Sequence, residues 1–337
     1  MWRLGMEGHQ LRSGMRHLKV LRRGLGIAWW EWFRAAADAV QREGIGHGAG
    51  AWVAENPSDK WGAVAGNGSP PVLPWRTLGR ASYRAAVTTG ALEPGIRIED
   101  VLDHRKATAV FIHGAEGAPA QFARLAAALG ERINSAVFVW DDTARLAPAA
   151  ERLRAALTEW PGPVIVVAHS MGALLLAYVG ATDRNGQLQD LTAVYLNPLV
   201  GGSRYAGDFR ALRWLRVGTL LQRLLFRPSV LDLAPEGDFQ QAIFGPASAA
   251  SSFAARSVVL FTERPGEEPD IRPDRVPHYF GRTRDELLER MGRVVQVPPA
   301  RRSGHRAPLI EPAVVLPLVD GIVNAFTGLD FRGARRA

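Results

Sequence analysis

The order of apolar segments predicts an α/β protein: a doubly wound, mostly parallel sheet with helices on both faces and an inserted helical cap or lid. Three observations carry that prediction. From about residue 106 onward, short apolar runs alternate with segments of helical periodicity. Those runs lack polar alternation, as expected of strands covered by helices on both faces. The alternation breaks once, between Gly201 and Arg256, where a helix-period apolar stripe intervenes.

Taken in order, TAVFIH (108–113) reads as a buried strand, PAQFARLAAALGER as a helix and AVFVW, ending at Trp140, as a strand. ARLAPAAERLRAALTEW reads as a helix, PVIVVAH as a strand and SMGALLLAYVGA as a helix. LTAVYLN (191–197) and SVVLFT (257–262) continue the strands, DELLERM is helical, and VVQVP (294–298) is the last strand. In the break, DFRALRWLRVGTLLQRLLF sets Phe209, Leu212, Leu215, Leu220 and Leu224 on one stripe. Such a stripe either packs on the core or forms a lid over an apolar substrate. LIEPAVVLPLVDGIVNAF, interrupted by Glu311 and Asp320, reads as a buried terminal helix rather than a membrane span. The expected organisation is an N-terminal extension (1–105), a main domain (106–328, with the cap at about 201–255) and a basic tail (329–337).

A chain of 337 residues with 47% apolar content can bury one large core or two smaller ones. It contains no cysteine, which excludes disulfides, thiolate metal sites and a cysteine nucleophile. The net charge of +8 comes almost entirely from arginine and is concentrated near the N-terminus, where Arg3, Arg12, Arg16, Lys19, Arg22 and Arg23 face one acid, Glu7. No nucleic-acid motif accompanies this charge, so no nucleic-acid partner is expected. Seven of the ten tryptophans precede residue 76. A basic, tryptophan-rich segment can dock on its own protein or lie at a membrane interface, so peripheral membrane contact is the sharper of two readings. The N-terminus lacks an uninterrupted apolar core and a small-residue cleavage site, so a cytoplasmic protein without a signal peptide is expected.

The chemistry centres on AHSMG, residues 168–172. A serine hydroxyl is a weak nucleophile unless a base takes its proton and donors await the oxyanion. A tight strand-to-helix turn lifts Ser170 above the sheet edge and turns the first helical amides towards the reacting oxygen. Close packing there demands small neighbours, and Ala168 and Gly172 fill those places, with His169 between Ala168 and the serine. A second glycine-bearing loop, HGAEG, follows the first strand of the alternation. A later histidine, His305, lies in SGHRAPL between the last strand and the terminal apolar segment. Of the histidines that follow Ser170, the other, His278 in RVPHYF, reads as structural.

With these motifs, residues 106–328 resemble the α/β-hydrolase superfamily and look like its serine esterases and lipases. Alanine stands for the first glycine of G-x-S-x-G. The resemblance implies a nucleophile elbow at Ser170, His305 as base, and an oxyanion hole from the amides of Met171 and Ala115, with Glu116 as the alternative to Ala115. His113, Gly114 and Gly117 then shape the oxyanion loop. The triad acid is expected after SVVLFT. Asp270 fits a D-x-x-P arrangement and Asp274 is its alternative, ahead of Glu263, Glu267 and Glu268.

No cofactor and no metal are implied. The reaction implied is two-step acyl transfer on a carboxylic ester. YLNPLVGGSRYAG and LDLAPEGDFQQAIFG look like lipase-like segments and favour a hydrophobic small-molecule ester, although Gly237-Asp238 replaces the small-serine pair. An acyltransferase or thioesterase using the same triad, and a non-catalytic interaction module on the same fold, remain the alternatives.

Overall fold

The computed structural model describes residues 73–98, 102–103, 106–115, 117–160, 163–188, 191–203, 228–261 and 276–296, together with His305 and Leu309. Seven strands form one sheet: β1 (Gly95–Ile98), β2 (Thr108–Ile112), β3 (Asn134–Val139), β4 (Val164–His169), β5 (Thr192–Leu196), β6 (Val258–Phe261) and β7 (Arg293–Gln296). Their spatial order is β1-β3-β2-β4-β5-β6-β7. β1 runs antiparallel to β3, and every other pairing is parallel. The register places Ile112, Ala168 and Tyr195 side by side across the three central strands.

Side-chain alternation distributes these apolar strands between two cores. Val110 and Ile112, Ala136 and Phe138, and Val166 and Ala168 face one side. Ala109 and Phe111, Val137 and Val139, and Ile165 and Val167 face the other. Both faces must therefore be covered, which is why the runs carry no polar alternation.

The helices are α1 (Arg80–Thr88), α2 (Ala123–Leu129), α3 (Leu146–Thr158), α4 (Met171–Thr182), α5 (Pro228–Asp232), α6 (Asp238–Phe244), α7 (Val276–Phe280) and α8 (Arg284–Glu289). Leu146, Leu153 and Leu157 of α3 share the first core with Leu174, Leu175, Leu176 and Val179 of α4. Leu125, Ala126 and Leu129 of α2 belong to the second, with Tyr83 of α1. The α4 sequence is apolar around its whole circumference, as befits a helix enclosed on all sides. Thr283 starts α8 with a capping box, its hydroxyl accepting from the Glu286 amide while the Glu286 carboxylate accepts from the Thr283 amide.

Two boundaries differ from the sequence expectation. Residues 73–98, assigned above to the extension, supply α1 and the antiparallel edge strand, and bury Leu73, Trp75 and Tyr83 in the second core. The Leu73 amide donates to the Ile98 carbonyl over 2.6 Å, tying this segment to the sheet. The latter part of the expected cap is also core. Phe239 stacks parallel on Tyr178 of α4, ring centroids 4.9 Å apart, and Ile243, Phe244 and Phe253 join the same cluster. The apolar stripe at 209–226 and, apart from Leu309, the expected terminal helix lie outside the described residues, as do residues 1–72. Among the described residues, no helix is long and apolar enough to cross a membrane.

The segment 228–232 is fastened to the exit of β3. The Ser229 hydroxyl donates to the Asp142 carbonyl over 2.6 Å, and the Leu146 amide donates to Asp232 Oδ2 over 2.8 Å. Arg145 pairs with the other Asp232 oxygen. Asp232 thus accepts from an amide that α3 itself cannot satisfy at its first turn. Asp232→Ala is expected to destabilise the fold by about 1–3 kcal/mol in urea unfolding, since it orphans a buried donor. Arg145→Ala is expected to cost less than about 1 kcal/mol, because the Arg145 side chain is 58% exposed.

Candidate active site

Strand order fixes where a ligand can enter. β2 is followed by β3 on one side and its neighbour β4 by β5 on the other, so the chain leaves β2 and β4 in opposite directions. A crevice opens at the carboxyl ends of the strands at such a switch point. The two loops bordering it are those that begin at His113 and at Ser170.

Ser170 joins β4 to α4 with φ 55° and ψ −121°. A positive φ in a non-glycine residue stores roughly 1–3 kcal/mol of strain, which the surroundings must hold. They do so through backbone bonds: the Ser170 amide donates to the Leu196 carbonyl and the Ala173 amide to the Ser170 carbonyl, both over 3.0 Å. The serine side chain does not cap the helix, and the residue is nearly buried. Met171 is the first residue of α4, so its amide has no carbonyl of its own helix to bond.

Glycines let the two loops meet backbone to backbone. A β-carbon at Gly114 would lie 2.7 Å from Ser170 Cβ, and one at Gly172 would lie 2.4 Å from the His113 carbonyl oxygen. A β-carbon at Gly117 would lie 3.0 Å from the Gly114 carbonyl oxygen. Ala168, in the place of the first glycine of the pentapeptide, is fully buried within β4.

His113 is buried and does not reach out as a base. Its Nδ1–H donates to the Gly114 carbonyl over 2.9 Å, and Nε2 lies 2.8 Å from the Tyr83 hydroxyl. The ring stacks on Trp140 at 5.2 Å. Burial pushes the His113 pKa below its ordinary value, against the upward pull of the Gly114 carbonyl and Asp142. Burial likewise pushes the Tyr83 hydroxyl pKa up, beyond any physiological range.

His305 is brought to the same edge by its main chain. Its carbonyl oxygen accepts from His169 Nε2–H over 2.9 Å and from Asn197 Nδ2–H over 2.8 Å. The His169 and His305 rings lie 4.8 Å apart. Four residues on, Leu309 is buried in the second core. Asn197, directly after β5, has φ 44°, and its own amide donates to the Leu260 carbonyl over 2.9 Å. Sequence reasoning passed over Asn197 and Tyr83. The asparagine had a signal, since it stands between a strand and a proline, and asparagine tolerates positive φ better than most residues. Tyr83, inside RASYRAAVT, had none.

Of the residues expected from sequence, Ser170, Met171, Gly172, Ala168, His169, His113, Gly114, Ala115, Gly117 and His305 are described. Glu116, Asp270, Asp274, Glu263, Glu267 and Glu268 lie outside the described residues. His278 sits exposed on α7.

A family model described as "Alpha/beta hydrolase family" matches residues 109–318. Among solved structures, a Paleococcus ferrophilus monoacylglycerol lipase is similar at 14% identity, with a TM-score of 0.46 over 69% of this chain and 99% of that one. The Oleispira antarctica hydrolase olei00960 gives 13% identity and 0.42 over 68% and 94%. The haloalkane dehalogenase DbeA of Bradyrhizobium elkani USDA94 gives 15% and 0.43 over 69% and 100%. No curated protein matches the chain.

The close approach of the two loops yields a stability prediction. Gly172→Ala must displace α4 from the β2 exit, because the contacted atoms are backbone. A loss of at least about 1–3 kcal/mol in denaturant unfolding is expected. Gly79→Ala, with nothing within 4 Å of the added carbon, serves as the control and is expected to change stability by less than about 1 kcal/mol.

Proposed function

The chain belongs to the alpha/beta hydrolase family, and from that premise we propose that it is a serine hydrolase cleaving carboxylic esters by two-step acyl transfer. The observation that carries this reading is Ser170 held at φ 55° between β4 and α4, its β-carbon against the Gly114 backbone. A structural serine has no need of such a conformation, whereas a nucleophile must stand clear of its strand with donors beside it.

In the first step His305 removes the Ser170 proton as Oγ attacks the ester carbonyl. The carbonyl oxygen, now an anion, accepts from the Met171 and Ala115 amides. His305 returns the proton to the departing alcohol, and an acyl-Ser170 ester remains. Water, deprotonated by the same histidine, then attacks the acyl carbon and releases the acid. A carboxylate after β6, Asp270 ahead of Asp274, accepts a hydrogen bond from His305 Nδ1–H, without taking the proton, and stabilises the imidazolium. The apolar stripe at 209–226 makes a hydrophobic acyl or alcohol group the preferred substrate.

Two measurements test this. A fluorophosphonate probe is expected to label the wild type and not Ser170→Ala; a folded wild type that resists labelling, or an alanine variant labelled equally, contradicts the reading. For aryl esters of increasing acyl length, Asp270→Asn is expected to lower kcat about 10³–10⁴-fold, in line with loss of the histidine's orienting acid. If Asp274→Asn causes that loss and Asp270→Asn does not, the acid assignment moves to Asp274.

A further inference from the structure

The oxyanion loop is steered from outside the region that the family model matches. The Gly114 carbonyl is held by two donors, His113 Nδ1–H at 2.9 Å and the Gly117 amide at 3.1 Å. A carbonyl can only accept, so Nδ1 carries the ring proton. The ring is enclosed and stays neutral, because burial disfavours its cation. Nε2 therefore presents a lone pair.

That lone pair faces the Tyr83 hydroxyl at 2.8 Å. The same hydroxyl accepts from the Trp140 amide at 3.1 Å and lies 2.9 Å from the Trp140 carbonyl. The Tyr83 O–H reaches two acceptors, the Trp140 carbonyl and Nε2, and donating to Nε2 pairs the lone pair that this tautomer leaves there. The reverse tautomer, with the proton on Nε2, would strip the Gly114 carbonyl of its side-chain donor. The Gly114 carbonyl requires the proton on Nδ1, and Tyr83 supports that tautomer by donating to Nε2.

The consequence reaches the next amide. No peptide bond among the described residues is cis, and in a trans peptide the C=O and N–H point to opposite sides. With the Gly114 carbonyl drawn to His113, the Ala115 N–H is turned away from that buried ring. Ala115 is exposed, and Gly114 lies directly against Ser170.

We infer that Tyr83 is a positioning residue for acyl transfer: its hydroxyl holds the His113 ring in its Nδ1–H form, which orients the Gly114–Ala115 peptide so that the Ala115 amide serves the oxyanion at Ser170. This inference rests on the serine hydrolase reading. It also makes α1, which precedes the matched residues 109–318, part of the catalytic apparatus.

A double-mutant cycle on the full chain tests it, with an aryl ester as substrate and an alkyl boronic acid as the anionic tetrahedral probe. Tyr83→Phe is expected to lower kcat and boronic acid affinity together by about 10-fold, less than the loss of an oxyanion donor outright, with KM nearly unchanged. In His113→Asn the side-chain amide can still donate to the Gly114 carbonyl and needs no tyrosine. Against that background Tyr83→Phe is expected to have no further effect on kcat. Nitrogen-15 spectra of the wild-type ring are expected to show His113 protonated at Nδ1 alone.

An unchanged kcat in Tyr83→Phe overturns the inference. So does a loss that persists in His113→Asn, the mark of a packing role, and so does a proton found on Nε2. In each of these cases Ser170 labelling by the fluorophosphonate survives. If wild-type labelling is itself absent, the hydrolase reading falls first and this inference with it.

Discussion

Backbone pressed against backbone at the exits of β2 and β4 is the constraint on which the site depends. Neither Gly114 nor Gly172 could carry a β-carbon without displacing a neighbour. Because the two strands are adjacent and parallel, their exit loops emerge side by side at the switch point of the sheet. One loop brings a helix N-terminus, the other a peptide whose carbonyl is turned inward. Ser170 stands where they meet, with Gly114 directly against its β-carbon. The sheet order brings the loops together, and the glycines let them touch.

Strain at Ser170 persists because the structure around it offers little room to relax. β4 is paired on both sides, α4 is enclosed by α3, α6 and Phe253, and the serine amide is committed to Leu196. The roughly 1–3 kcal/mol stored in one dihedral is small beside the burial of four leucine and valine side chains on α4, each contributing about 1.5–3 kcal/mol. The same economy governs the polar groups. His113, Tyr83 and Asn197 are buried, and each holds a main-chain group by a hydrogen bond: the Gly114 carbonyl, the Trp140 amide and the His305 carbonyl. Side chains here position backbone.

What the sequence made legible follows from this. The alternating apolar runs from 108 to 296 carry the parallel sheet, because strands enclosed on both faces cannot hide their composition. AHSMG and HGAEG were readable because tight turns demand small residues at fixed offsets, so the requirement is local. The contribution of residues 73–98 was not. β1 pairs with β3 across 38 or more residues, and Tyr83 meets His113 thirty positions later. Neither segment needs a distinctive composition to do so. Gly201–Arg256 read as a single insertion because the strand–helix alternation breaks there. Yet Phe239 and Phe253 pack on α4, since a helix apolar all round must be covered by whatever chain is nearest. Among the acids after β6, several carboxylates in a proline-rich stretch satisfy the same spacing, and spacing alone cannot rank them.

The proposed chemistry requires Ser170 and the Ala115 and Met171 amides to converge on one oxygen. A crystal structure of the protein phosphonylated by an alkyl fluorophosphonate measures this directly. The account predicts phosphorus bonded to Ser170 Oγ, with the phosphoryl oxygen within about 3.1 Å of both amide nitrogens. Phosphorus on another residue, or a phosphoryl oxygen turned to solvent with the Ala115 amide pointing elsewhere, would contradict it.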